Sequence, residues 1–189
     1  MRNIKLRRTL QKGSLMIEAL ALLGLISMVT PVMYKKAAER TTELQDINLA
    51  TQMRTLNGAL DEYVRNNIST LKANPDTTEE TGLEVPSAEV LSFLPEGFNI
   101  DGMKYFDKDK MKFKVKQKIV NVGGVDHSTF TTAVIAPSLN PVNRTRAAKI
   151  ASMIGVNGGI YDTKAAAGGN NIIGTQGAWG AKLSDWHTL

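Results

Sequence analysis

Apolar side chains fill almost every position from Leu15 to Tyr34, and Glu18 is the one formal charge among them. About 20 such residues at ~1.5 Å rise cover the ~30 Å hydrocarbon core of a bilayer, so residues 14–34 predict a transmembrane helix. Beyond Tyr34 the pattern changes. Leu49, Met53, Leu56, Leu60, Tyr63 and Val64 recur at spacings of three and four, which predicts one buried helical stripe. Arg40, Glu43, Asp46, Arg54 and Asp61 are placed mostly elsewhere around that helix. An end near Asn66-Asn67 makes a single long helix over 14–66. Gly24 and Pro31 interrupt it, and a proline removes one backbone hydrogen bond, so a bend or local melting is expected around 27–31. A proline simply tolerated in a membrane helix is the alternative.

The remainder, 67–189, predicts a globular α/β head. Residues 72–89 are polar, hold two prolines and read as a surface loop leading to a short helix around Ser87–Phe93. Leu91 to Phe98 forms an apolar patch closed by a turn. From Met111 to Val122 the period is two: Met111, Phe113, Val115 and Ile119 alternate with Lys110, Lys112, Lys114, Lys116 and Lys118. One face enters a core and the other is a row of lysines. That row is either an electrostatic surface for an anionic partner or a solvated face that discourages edge pairing, and the lack of interleaved aromatics favours the second. Gly123-Gly124 starts a turn, and a second strand over Ser128–Ala136 completes an antiparallel hairpin with a loop of about five residues. Asn140 as cap and Pro141 at the first position predict a helix, with Val142, Ala147, Ile150, Ala151 and Ile154 on one face and Gly155 as its stop. In the glycine-rich tail, strands are expected at Gly159–Asp162 and around Gly177–Trp186, anchored by Trp179 and Trp186.

Charge adds direction. Five basic residues, Arg2, Lys5, Arg7, Arg8 and Lys12, precede Gly13-Ser14. The formal charge of +5 comes from 23 Lys and Arg against 18 Asp and Glu, so without those five the balance is 18 to 18. The basic excess therefore speaks of membrane orientation, N-terminus in the cytoplasm, rather than of nucleic acid. There is no cysteine, which excludes disulfides and thiolate chemistry.

A short basic segment, Gly13-Ser14 and Glu18 inside an apolar run together resemble a type IV prepilin. The resemblance implies an α+β fold, with a long N-terminal helix, half of it transmembrane, packed on an antiparallel sheet. It implies processing between Gly13 and Ser14 by a prepilin peptidase that removes a leader over 1–13. It implies N-methylation of Ser14, and an assembly role for Glu18, which is the fifth residue of the processed chain. Gly24 and Pro31 become the points where the family's helix loosens on leaving the bilayer. Implied partners are other pilin subunits, the peptidase, an inner-membrane assembly platform with its ATPase, and a recipient or host cell surface. The protein is expected in the inner membrane as a single-pass prepilin and then in an extracellular pilus. More narrowly, KIASMIGVNGGIYDTKAAAGG…GAWGAKLSDW is similar to the constant N-terminal part of the minor pilin at the tip of thin conjugative pili. The missing disulfide points the same way, to a minor or tip subunit acting in adhesion or mating. A tip segment beyond this chain would belong to that reading.

No catalytic site, metal or cofactor is expected. His127 and His187 without cysteine give no metal-ligand spacing. No phosphate-binding loop is present, and Gly174, Gly177 and Gly180 lack the strand-then-helix setting of a dinucleotide site. Gly155, Gly158 and Gly159 read as a helix cap and tight turn. Three alternatives stand beside the minor-pilin reading. One is the major pilin of the same fibre. Another is a pseudopilin of a secretion system, which a calcium site of clustered carboxylates would favour, although the tail holds only Asp162 and Asp185. The last is a signal-anchored periplasmic binding protein, in which Gly13 and Glu18 carry no role.

Overall fold

The computed structural model describes residues 3–78, 82–103, 105–139, 142–161 and 171–182, with the side chains of 3–19 and of Ala21 outside the description. The fold is α+β, a long N-terminal helix and small antiparallel sheets. Helix α1 spans Asn3–Asn66, and a short α2 over Ile68–Ala73 follows after Asn67. The chain stays helical through Gly24 and Pro31, so the expected melting around 27–31 does not occur. Side-chain hydroxyls bond back along this stretch, Ser27 Oγ to the Gly24 carbonyl at 2.9 Å and Thr30 Oγ1 to that of Ile26 at 2.6 Å. The chain divides into two compact units, Met1–Gln45 and Asp46–Leu189.

In the second unit, the helical stripe becomes the centre of the core. Leu56 and Leu60 are fully buried, with Leu49, Ala59, Tyr63 and Val64 nearly so, because every third or fourth side chain faces the same way. Against them pack Leu71, Val85, Val90, Met103, Met111, Phe113 and Val115. The Tyr63 ring meets that of Phe93 edge-on at 6.0 Å. Burial, then the neighbouring Glu89, pushes the Tyr63 phenol up to about 12, so it stays protonated at physiological pH.

The first sheet has the order β1–β2–β3, with β1 at Leu83–Val85, β2 at Lys112–Val122 and β3 at Val125–Ile135. Strand β1 lies in the segment expected to be a loop. Only three residues long, it is held by its ladder to β2, with Leu83 opposite Val115, Glu84 opposite Lys114 and Val85 opposite Phe113. The hairpin loop is two residues and not five. Gly123 and Gly124 both have positive φ, 62° and 83°, the pair a type I′ turn requires, so the ladder runs on to Val122 opposite Val125. Asn121 braces the turn, accepting from the Gly124 amide at 3.1 Å and donating to Asp126 at 2.7 Å.

Helix α3 covers Ser87–Leu91, shorter than the stretch to Phe93 expected for it. Helix α4 covers Arg144–Ile154 and is capped by Asn143, whose side chain accepts from the Arg146 amide at 2.7 Å. The expected cap, Asn140 with Pro141, lies outside the described residues, and Val142 precedes the helix instead of contributing to its face. Gly155 ends α4 with φ 102°. A second sheet, β4 (Gly159–Tyr161), β5 (Asn171–Gly174) and β6 (Gly180–Lys182), follows in that order. Strand β5 had no counterpart in the sequence pattern, where only Ile172-Ile173 marks it. Trp179 lies over the glycines of this sheet: a Cβ on Gly159 or Gly174 would come within 2.8 Å of its ring. Its indole N–H donates to the Val156 carbonyl at 2.8 Å. Trp186, Asp162 and Asp185 are outside the described residues.

Core burial separates two kinds of apolar residue in the hairpin. Phe113 and Val115 are buried while Ile119 is half exposed, because the outer half of the hairpin extends past the core. Truncating Leu60 to Ala is expected to cost about 2–5 kcal/mol in chemical unfolding, and Ile119→Ala less than about 1 kcal/mol.

Candidate functional site

The first unit carries the candidate assembly segment. From Leu20 onward its described apolar side chains are exposed on every side: Leu20, Leu22, Leu23, Leu25, Ile26, Met28, Val29, Val32, Met33 and Tyr34, the extremes being Val29 at 51% and Met28 at 75%. Five consecutive residues, Leu22 to Ile26, advance a helix by more than one turn, so no single stripe contains them. Covering a side chain of this size is worth roughly 1.5–3 kcal/mol, and ten of them amount to tens of kcal/mol. Such a surface fits lipid or other apolar helices far better than water. Among the described residues no helix is long and apolar enough to cross a membrane; Leu15 to Ala19 and Ala21, part of the same run, have side chains outside the description. Gly13, Ser14 and Glu18 fall within the bounds of α1, and their side chains too lie outside it. Lys35, Lys36, Glu39, Arg40 and Glu43 follow the run and are exposed.

In the second unit several charges are not where the sequence pattern put them. Asp46 is 1% exposed and meets Arg146 of α4, whose Nε donates to its Oδ1 at 2.8 Å while Nη2 stands 2.8 Å from the same oxygen. Arg54, exposed, donates through Nε to the Ile154 carbonyl at 2.9 Å and through Nη2 to that of Met153. These carbonyls end α4, where the helix dipole is negative and a guanidinium is favourable. Asp46 was expected away from the buried stripe. It lies three residues before Leu49, however, which is the stripe continued by one turn, and a charge there needs a buried partner.

The lysine row is not a uniform solvated face. Lys114 is 4% exposed, and its Nζ lies 3.0 Å from Glu84 Oε2, which Lys112 also approaches at 3.3 Å. Ile135, opposite Lys112 and so on the same face, is buried as well. The sheet is therefore covered on both faces at this end, which a period of two cannot reveal. Lys118, farther along the hairpin, is exposed. Burial pushes the Glu84 carboxyl up, but Lys114 and then Lys112 outweigh it and hold the group below its ordinary 4.5. On the other face Gln117 is buried, accepting from Thr77 Oγ1 at 2.8 Å and donating to Ser128 Oγ at 2.9 Å. This chain ties the segment after α2 to the hairpin. Asp61 accepts from Thr132 Oγ1 at 2.6 Å and joins α1 to β3.

Among the described residues no three His, Cys, Asp or Glu side chains gather as a metal site. No family model matches the chain, and no curated protein or solved structure is detectably similar to it.

Changing Glu84 to Gln leaves the Lys114 ammonium buried without its carboxylate and is expected to cost about 1–2 kcal/mol near pH 7, or several degrees in Tm. Glu84 is depressed in the folded state. Its contribution is thus present above the unfolded value and is lost as pH falls through the folded one. Wild type and variant should converge in thermal melts as pH drops below about 4.5.

Proposed function

We propose that this chain is a prepilin-like subunit, processed after Gly13 and built into a type IV-like fibre through its N-terminal helix. The observation that carries the reading is the apolar surface from Leu20 to Tyr34, exposed on all sides in one continuous helix. Lipid covers it before assembly and neighbouring helices cover it after. The α+β layout, a long N-terminal helix and an antiparallel sheet, is compatible with a pilin.

In this mechanism the basic residues from Arg2 to Lys12 hold the leader on the cytoplasmic side. Gly13, lacking a Cβ, lets the peptidase approach the backbone closely. The new amine of Ser14 is methylated. A lone Glu18 carboxylate is costly in an apolar medium, and docking relieves that cost by pairing it with the N-terminal amine of a neighbouring subunit. Register is set by this pair, and packing by the apolar residues around it. An assembly platform and its ATPase supply the work. The tail resemblance and the absence of cysteine favour a minor or tip subunit that meets a recipient or host surface over a major pilin.

The test is intact mass and N-terminal sequencing after expression with a prepilin peptidase, beside Gly13→Glu. Cleavage to a methylated Ser14 terminus in wild type, with the variant uncut, is the expected result. An intact Met1 terminus in both would overturn the proposal and leave a signal-anchored domain. Glu18→Ala should still be cut yet fall at least about tenfold in sheared fibres, since it removes only the docking partner.

A further inference from the structure

Helix α4 and the stretch of α1 from Asp46 to Arg54 form a parallel pair held at both ends. Asp46 meets Arg146, and eight residues on Arg54 meets the carbonyls of Met153 and Ile154, eight residues on in α4. Between the pins the small buried residues are Ala50 on α1 and Ala151 on α4. Ile150, Met153 and Ile154 of α4 are only half-buried, and the charged contacts mark both ends of this attachment.

Beyond α4 the chain holds itself together. Thr175 donates its amide to the Gly158 carbonyl at 2.9 Å, and its hydroxyl sits 2.9–3.1 Å from the carbonyls of Ala151, Gly155 and Gly158. Trp179 closes over Gly159 and Gly174. Strands β4, β5 and β6 form a sheet of their own, separate from β1–β3. No described residue after Ala136 belongs to the main hydrophobic cluster. Without cysteine, no disulfide ties this part to the rest.

We infer that Asn143–Tyr161 with Asn171–Lys182 is a releasable lobe, latched on α1 by Asp46–Arg146 and Arg54 and able to open as a unit while the core of α1, β1, β2 and β3 stays folded. The buried Asp46 carboxylate regains its hydration when the pair separates, so releasing it costs much less than exposing Leu56, Leu60, Phe113 and Val115. The lobe then belongs to the low-stability end of the structure, as a cooperative opening unit.

Hydrogen exchange of the full chain in detergent, read by mass spectrometry against denaturant, tests this. Amides of α4, β4, β5 and β6 should exchange together through an opening with weaker denaturant dependence than β2 and β3. Asp46→Asn, which leaves the half-buried Arg146 without its carboxylate, should speed the lobe amides about tenfold or more and leave those of β2 and β3 unchanged. Replacing both partners, Asp46→Leu with Arg146→Met, should slow the lobe back toward wild type. Exchange of lobe and strands with one common denaturant dependence in wild type would overturn the inference, as would equal acceleration of both by Asp46→Asn. The wild-type comparison decides the matter even if a variant does not fold.

Discussion

Side chains three and four apart on a helix share a face, and in this head the elements up to β3 are placed by the face that α1 presents. Leu56 and Leu60 lie at its centre, fully buried, and β1, β2, α3 and the turns around Met103 and Met111 complete the cover. With no cysteine in the chain, packing density and hydrogen bonding carry the stability that a disulfide would otherwise add. The cross-links that do exist are polar. Asp61 reaches Thr132 on β3, and Thr77 reaches Gln117 on β2, so the helix and the segment after it are each fixed to the hairpin at a specific register.

Among the described residues buried charge is used at two points, Asp46 and Lys114, and both join elements distant in sequence. Glu84 faces Lys114 directly across the β1–β2 ladder, which pins a strand only three residues long. Asp46 and Arg146 stand 100 positions apart and set where α4 begins along α1. Such pairs add less net stability than their short distances imply, since one charge of each, Lys114 or Asp46, has lost its water. Their value is in specificity: an α4 shifted by one residue would bury Asp46 without a partner.

The first unit obeys a different rule. Its described apolar side chains from Leu20 to Tyr34 are ringed around the helix and uncovered, whereas the stripe from Leu49 to Val64 in the head is covered. An amphipathic helix is finished by one neighbouring surface; a helix apolar on all sides requires a surrounding medium, either lipid or a bundle. The same α-helical geometry thus serves two environments in one chain, and the change of pattern falls where Lys35 to Glu43 begin the polar stretch.

That change was legible in the sequence, because it is a matter of periodicity and periodicity is local. So were the stripe from Leu49 to Val64, the helix end at Asn66, the alternation along β2 and the cap-and-turn role of Gly155 and Gly158. Gly123-Gly124 marked a turn, but its type and its two-residue length emerged only with both φ values and the ladder. What tertiary structure alone decided was the partner of each polar group. Nothing in the lysine row says that Lys114 is covered while Lys118 is exposed, since that depends on β1 and Glu84 arriving from a segment that reads as loop. Nor does Asp46 name Arg146. A side chain's period follows from its own backbone, but its burial depends on what packs against it from elsewhere in the chain.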